Sequence, residues 1–104
     1  MQTIPLIATP SQTLKVSLNG QSCQINVYQK STGLFVDLLV NSALIIGGVL
    51  AENANRIVRS LYLGFQGDMV FVDTAGTSDP VYTGLGTRWI LLYLSPSDLP
   101  AGEG

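Results

Sequence analysis

The residues of this 104-residue chain that could do chemistry are its carboxylates and a single thiol. Histidine, the most common general base and zinc ligand, does not occur in the sequence. The acidic side chains fall mainly at predicted turns, and their spacing reveals no pair suited to glycoside hydrolysis. They include Asp37, Glu52, Asp68, Asp73, Asp79 and Asp98. We therefore expect no catalytic residue, no cofactor and no metal site.

Two short motifs resemble ligand-binding loops only in part. The stretch from Asp73 to Asp79 starts like a calcium loop, but it lacks oxygen-bearing acidic or amide side chains at its third and fifth positions. Gly84-Leu-Gly86 supplies two glycines of a phosphate loop, but a strand and not a helix follows. Turn formation explains both motifs better than ligand binding does.

The clearest local signal is a hairpin closed by Asn19-Gly20. In a two-residue turn, Val16 faces Cys23 and Leu14 faces Ile25, so the apolar residues of both strands share one face. The opposite face carries Thr13, Lys15, Ser17, Ser22, Gln24 and Asn26. This sorting predicts one buried and one solvated side. It also makes Cys23 a small buried hydrophobe and not a reactive thiol.

Residues 34–51 form an apolar run whose length is at the lower limit for a membrane helix. Asp37 would be costly in hydrocarbon, and the run has no basic bias on either flank. A second hairpin with its turn at Asn41-Ser42 explains the pattern better. Both strands are apolar on both faces, which predicts that they are covered on both sides, by core or by another subunit.

The rest of the chain predicts further strands. Residues 52–60 allow a short helix, although their asparagines favour a loop. Residues 60–65 and 69–74 read as strands, and residues 88–94 form an apolar closing strand that is central or sandwiched. We predict one all-β domain over residues 1–104, a small barrel or sandwich of six to seven short antiparallel strands. Residues 1–11 form an extended N-terminal segment, and residues 95–104 form a C-terminal tail.

Low charge is the most unusual feature of the composition. Charged residues make up 12% of the chain, about half the usual share of roughly 25%. Two explanations stay open: a surface that packs against other subunits, or a monomer with a polar, uncharged coat. The few scattered basic residues provide no nucleic-acid groove. The N-terminus has no secretory pattern, so we expect synthesis and use without export.

The order and spacing of several short segments resemble the small baseplate plug family of contractile-tailed bacteriophages. The resemblance spans nearly the whole chain and is carried by Ile4-Pro5-Leu6, Gln12-Thr13-Leu14, Leu18-Asn19-Gly20-Gln21, Asp37-Leu38, Tyr62-Leu63-Gly64 and Leu85-Gly86-Thr87-Arg88-Trp89. It implies a non-enzymatic all-β virion subunit, made in the host cytoplasm and located in the central hub of the tail baseplate. This chain departs from the family in its more apolar 34–51 segment and in its Asn-Ser turn.

The resemblance and the low charge together predict a function carried by interfaces. Expected partners are other copies of the chain, in threefold or sixfold symmetry, and the baseplate hub and tail tube proteins. We expect no membrane span and no specific nucleic acid. The interface candidates are Ile4, Pro5, Leu6, Ile45, Ile46, Arg88, Trp89 and Tyr93. Pro5 favours an extended segment, which could pair with a partner's sheet or form the first strand of this domain.

One alternative function is a ligand-binding β module for carbohydrate or peptide. It would use aromatic side chains at the surface, drawn from Tyr28, Tyr62, Tyr82, Trp89 and Tyr93. A separate expectation concerns Asp37, which needs water, backbone donors or a basic partner on its apolar strand. We expect that partner to be Arg88, Arg59 or a basic residue of a neighbouring subunit.

Overall fold

The structure, a computed structural model, describes residues 2–54, 56–58 and 67–95. Within these residues the chain forms seven strands: β1 (Gln2–Ile4), β2 (Ser11–Leu18), β3 (Gln21–Lys30), β4 (Gly33–Val40), β5 (Ala43–Leu50), β6 (Asp68–Asp73) and β7 (Trp89–Leu94). A 3-10 turn at Tyr82–Gly84 precedes β7. Residues 52–54 and 56–58 are not helical, and the remainder of the segment in which a short helix was expected lies outside the described residues.

The β2–β3 hairpin confirms the predicted register. Val16 pairs with Cys23 and Leu14 with Ile25. Asn19 and Gly20 have φ values of 52° and 76°, as a type I′ turn requires. Side chains on the apolar face are buried or partly buried, and those on the polar face are exposed or half-buried, so the sequence pattern alone sets the orientation of this hairpin.

Residues 34–51 form the predicted second hairpin. Of the two predicted sources of cover, core and another subunit, the chain's own core covers β5 only in part. The four-stranded sheet has the order β2-β3-β4-β5, which places β5 at an edge. Leu44 and Leu50 of this strand are 64% and 41% exposed. By contrast, Leu34, Val36 and Leu38 of β4 are buried on the inner face. No helix long and apolar enough to cross a membrane occurs in the part of the chain that the structure describes.

The second sheet has three strands in the order β1-β7-β6, so β7 is central, as predicted. The N-terminal segment supplies β1, in which Ile4 pairs with Leu91 of β7. Of the two roles expected for this segment, pairing with a partner's sheet or forming the first strand of its own domain, the structure shows the second. Isolated bridges join Asn53 and Arg56 to the outer side of β6. The predicted strand at 60–65 and the tail from residue 96 onward lie outside the described residues.

The two sheets pack face to face and share one hydrophobic core. Within the described residues they do not close into a barrel, so of the two predicted architectures the sandwich is the correct one. Alternate residues of β7 enter this core, because successive side chains of a strand point to opposite faces. The largest fully buried side chains from both sheets are Ile4, Leu18, Ile25, Leu34, Leu38, Met69, Phe71 and Leu91.

Candidate functional site

The described residues do not assemble a catalytic or metal-binding constellation. In residues 2–54, 56–58 and 67–95, no group of three Cys, Asp or Glu side chains is placed to hold a metal ion. Two carboxylates are buried, Asp68 and Asp73, and both accept several hydrogen bonds from the chain itself. Their positions show that these acids organise loops.

Asp73 is the centre of a polar cluster that fixes the loop after β6. Its carboxylate binds the Arg88 guanidinium at two points, with Nε–Oδ1 and Nη2–Oδ2 distances of 2.8 and 2.9 Å. The backbone amides of Ala75 and Ser78 donate to the same carboxylate at 2.9 and 2.8 Å. These contacts confirm that the stretch from Asp73 to Asp79 is a turn built on Asp73.

The aromatic residue next to Arg88 extends this cluster. The guanidinium carbon of Arg88 lies 4.5 Å from the Trp89 ring centroid, within cation–π range. The Trp89 indole N–H donates to the carbonyl of Ser78 at 3.0 Å, which ties the loop to the first residue of β7. Arg88 and Trp89, both interface candidates, therefore form part of an intrachain clasp around residues 73–79.

The ion pair shifts the pKa values of both of its members. The Arg88 hydrogen bonds hold the pKa of Asp73 far below its ordinary range; they outweigh desolvation, and the amides of Ala75 and Ser78 act in the same direction. The hydrogen bond to Asp73 likewise raises the pKa of Arg88, against desolvation. The carboxylate is therefore ionised at neutral pH and serves as a structural anion.

Asp68 fixes the segment that runs beside β6. Its Oδ1 accepts the amide hydrogens of Ile57, Val58 and Met69 at 3.1, 2.8 and 2.7 Å. Three backbone donors around one oxygen stabilise a buried carboxylate. The Ile57 amide is shared, since it also donates to the carbonyl of Met69 at 2.9 Å. Asp68 thus holds residues 57 and 58 against the start of β6.

Asp37 is satisfied by neighbours that the sequence did not predict. Its Oδ1 accepts the Gly48 amide at 2.7 Å and the Tyr28 hydroxyl at 2.9 Å, and its Oδ2 accepts the Asn26 side-chain amide at 3.2 Å. The expectation of Arg88 is wrong, because Arg88 lies on the other sheet and binds Asp73. Arg59, the other named candidate, lies outside the described residues.

This network changes the acidity of two side chains. Desolvation raises the pKa of Asp37, but hydrogen bonds from Gly48, Asn26 and Tyr28, together with the charge of Lys30, outweigh it and leave the pKa lowered. The pKa of Tyr28 is raised by desolvation, by its hydrogen bond to Asp37 and by the charge of that carboxylate. Asp37 is therefore an ionised acceptor on the outer face of the four-stranded sheet.

Cys23 is buried, as predicted, at the edge of a shallow depression on the β2–β3 hairpin. The depression has a volume of about 90 Å³ and is lined by Lys15, Ser22, Cys23, Gln24 and Ser42. Desolvation raises the pKa of the Cys23 thiol and opposes formation of the thiolate. A neighbouring depression of about 320 Å³ shares Lys15 and Ser22.

The interface candidates are distributed over both sheets and do not form one surface. Four of them, Ile4, Leu6, Trp89 and Tyr93, are buried in this chain's own core and have little side-chain area left for a partner. Pro5 is exposed, Ile45 and Ile46 are half-buried against the core, and Arg88 binds Asp73. Strand periodicity alone could not separate these cases, because it does not say which sheet covers which face.

The most exposed large apolar residues were not among those candidates. They are Ile7, Leu44, Leu50 and Val81, and two of them belong to β5. The sequence did contain a signal for the exposure of Leu44. This residue follows the Asn41-Ser42 turn closely, in a strand that carries no charged residue. Recognising it required knowing that β5 ends the sheet.

The surface aromatic residues do not converge on one site. Trp89 and Tyr93 are buried, and Tyr62 lies outside the described residues. Tyr28 stacks with Phe35 on the outer face of the four-stranded sheet, with a centroid distance of 6.0 Å. The ammonium group of Lys30 lies over the Tyr28 ring, 5.5 Å from its centroid. The two rings therefore contact each other and Lys30 within the chain.

Two packed antiparallel sheets, whose buried acids organise loops, define an all-β domain of the structural or binding class. The family model for the cyanophage baseplate Pam3 plug gp18 matches residues 1–96, and the chain belongs to this family. Membership places the protein in the baseplate of the phage virion, where it assembles as a structural component. A comparison with curated proteins finds no match.

Proposed function

We propose that the chain is a plug or hub subunit on the tail axis that acts through contacts with other subunits and has no catalytic role. Its partners would be further copies of itself, in threefold or sixfold symmetry, and the baseplate hub and tail tube proteins. Synthesis would take place in the host cytoplasm, before assembly. Family membership supports the baseplate role, and one structural observation supports the mode of action.

That observation is the exposed, uncharged edge strand β5. Ala43–Leu50 contains no charged residue, and Leu44 is 64% exposed. Single exposed apolar residues are ordinary on protein surfaces. Two large ones, Leu44 and Leu50, on one uncharged edge strand are typical of a surface that a partner covers, since interface cores are depleted of charge.

The other sheet edges differ from β5 in ways that fit this assignment. The opposite edge of the same sheet, β2, carries the exposed Lys15. In the second sheet, β6 is flanked by the bridges to Asn53 and Arg56, and β1 is only three residues long. The charge on β2, the bridged segment beside β6 and the short length of β1 each discourage strand pairing at that edge. The edge best suited to a subunit contact is therefore β5.

The test compares wild type with Leu44→Lys and with a matched control, Ile7→Lys. Ile7 is 66% exposed, as Leu44 is, but it lies in the loop between β1 and β2. We expect wild type to form threefold or sixfold oligomers by light scattering and native mass measurement, and Leu44→Lys to remain folded but not to assemble. Ile7→Lys should behave like wild type. A wild type that stays monomeric with baseplate components present, or a Leu44→Lys variant that assembles normally, would contradict the proposal.

A further inference from the structure

The open edge of β5 is irregular where it passes Asp37. Gly47 and Gly48 together oppose this single residue of β4, while the flanking positions pair one to one as Val36–Val49 and Leu38–Ile46. Two residues opposite one form a β-bulge, which bends the strand and increases its twist. The pairing shifts again at the next step, where Leu39 pairs with Leu44. An incoming strand would therefore meet an edge with an interrupted hydrogen-bond spacing.

The Asp37 carboxylate holds this bulge in place. Gly48 has a φ of 64°, in the left-handed region that favours glycine, and its amide donates to Oδ1 of Asp37 at 2.7 Å. Donors from Tyr28 and Asn26 fix the carboxylate in turn. Because Asp37 belongs to β4, the Gly48 N–H points back toward its own sheet and not toward the open side of β5.

This edge has few other features that would discourage pairing. Edge strands are commonly protected by charged residues, prolines or bulges, and β5 has neither a charge nor a proline. Its exposed Leu44 would add apolar contact to any strand that paired there. The protection of β5 therefore comes from its irregular pairing, and the bulge at Gly47-Gly48 is the irregularity that Asp37 holds.

We propose that Asp37 prevents β5 from adding a strand of another copy to the four-stranded sheet, by anchoring Gly48 in the bulge. The inference concerns the isolated chain and does not rest on the proposed function. It does specify how β5 meets a partner: Leu44 and Leu50 are presented as side chains, while backbone pairing is suppressed. Unlimited edge-to-edge growth of the sheet is thereby avoided.

The experiment measures the protein concentration at which intermolecular β-sheet appears, using sedimentation together with the amide I infrared band. Asp37→Leu removes the acceptor of the Gly48 amide, and we expect it to associate at a concentration about tenfold lower than wild type does. Asp37→Asn keeps an acceptor oxygen and should stay close to wild type. Adding Leu44→Lys to Asp37→Leu should reverse the association, because a charge at the edge discourages pairing.

Ser17→Leu is the matched control for added apolar surface. Ser17 is exposed on the same outer face, on β2, and its side chain takes no part in the hydrogen bonds to Asp37. It should associate as wild type does. If Asp37→Leu fails to fold by circular dichroism, Asp37→Thr provides a second variant that favours a strand and is too short to reach Gly48. Folded Asp37 variants that associate no more readily than wild type, or no more than Ser17→Leu, would overturn the proposal whatever the oligomeric state of wild type.

Discussion

Arg88 and Asp73 form a two-point ion pair that joins the residue before β7 to the last residue of β6. The carboxylate also accepts the amides of Ala75 and Ser78, and Arg88 lies over the ring of Trp89. One buried carboxylate thus determines the course of the loop that joins the two strands. Asp73, one of the acidic residues that could have done chemistry, therefore serves as an internal anion of the fold.

The first prediction concerns the pH dependence of this cluster. The folded pKa of Asp73 is lowered, so its contribution to stability is present above the unfolded pKa of about 3.9 and is lost as the pH falls toward the folded value. We expect Asp73→Asn to melt at a lower temperature than wild type at about pH 7, with the difference shrinking progressively below about pH 4. Thermal melts across this range provide the measurement.

The control for this prediction is Asp79→Asn. Asp79 is exposed and accepts one backbone hydrogen bond, from the Asn53 amide at 3.0 Å, which an asparagine oxygen can also accept. Its melting temperature should follow that of wild type. A difference between wild type and Asp73→Asn that stays constant down to about pH 2 would show that the ion pair does not supply the stability.

The second prediction compares two adjacent residues of β4. Val36 is fully buried, and Val36→Asp would place an unpaired carboxylate in the core, at a cost of about 3 kcal/mol or more. Asp37 is half-buried on the outer face, and Asp37→Leu removes hydrogen bonds at a cost of about 1 kcal/mol. Chemical denaturation at dilute concentration should rank the two variants in this order. The opposite ranking would mean that the faces of β4 are assigned the wrong way round.

The third prediction concerns the Asn41-Ser42 turn. Ser42 has a φ of 67°, a left-handed conformation that costs a non-glycine residue roughly 1–2 kcal/mol. Ser42→Gly should therefore raise the free energy of unfolding by up to about 1 kcal/mol, after the entropic cost of glycine is included. Ser17→Gly, at the second-to-last residue of strand β2, should lower it by roughly 0.5–1 kcal/mol. Equal effects of the two substitutions would contradict this account of the turn.

The fourth prediction concerns chemistry. The chain has no histidine, and its buried carboxylates Asp68 and Asp73 each accept at least three hydrogen bonds from the chain itself. We expect the purified protein to retain no metal by elemental analysis and to show no turnover in hydrolase screens. A stoichiometric metal, or an activity lost on replacing one Asp or Glu, would contradict the structural assignment.

Local patterns in the sequence predicted the local structure well. Asn19-Gly20 and the alternation around it gave both the register and the buried face of the first hairpin, because a two-residue turn leaves no freedom in pairing. The central position of β7 followed from its apolar residues on both faces. The burial of Cys23 was predicted correctly because the register of the hairpin puts this residue on the apolar face.

Contacts between elements that are distant in the sequence could not be predicted from such local patterns. Asp37 was expected to find a basic partner, but a bulge at Gly47-Gly48 brings a backbone amide to it. Two consecutive glycines in a strand were the available signal for that bulge. The exposure of Leu44 depends on the strand order of the sheet, which strand periodicity does not encode. Sheet edges are decided by the whole fold, and the interface prediction depended on them.

The most direct test of the central claim, a structural subunit that works through contacts on the tail axis, is imaging of the baseplate in the intact virion. We predict density for this chain around the axis in threefold or sixfold copies, with Leu44 and Leu50 of β5 covered by a neighbouring subunit. A single asymmetric copy located off the axis, or a β5 edge that faces solvent in the assembled baseplate, would contradict the account.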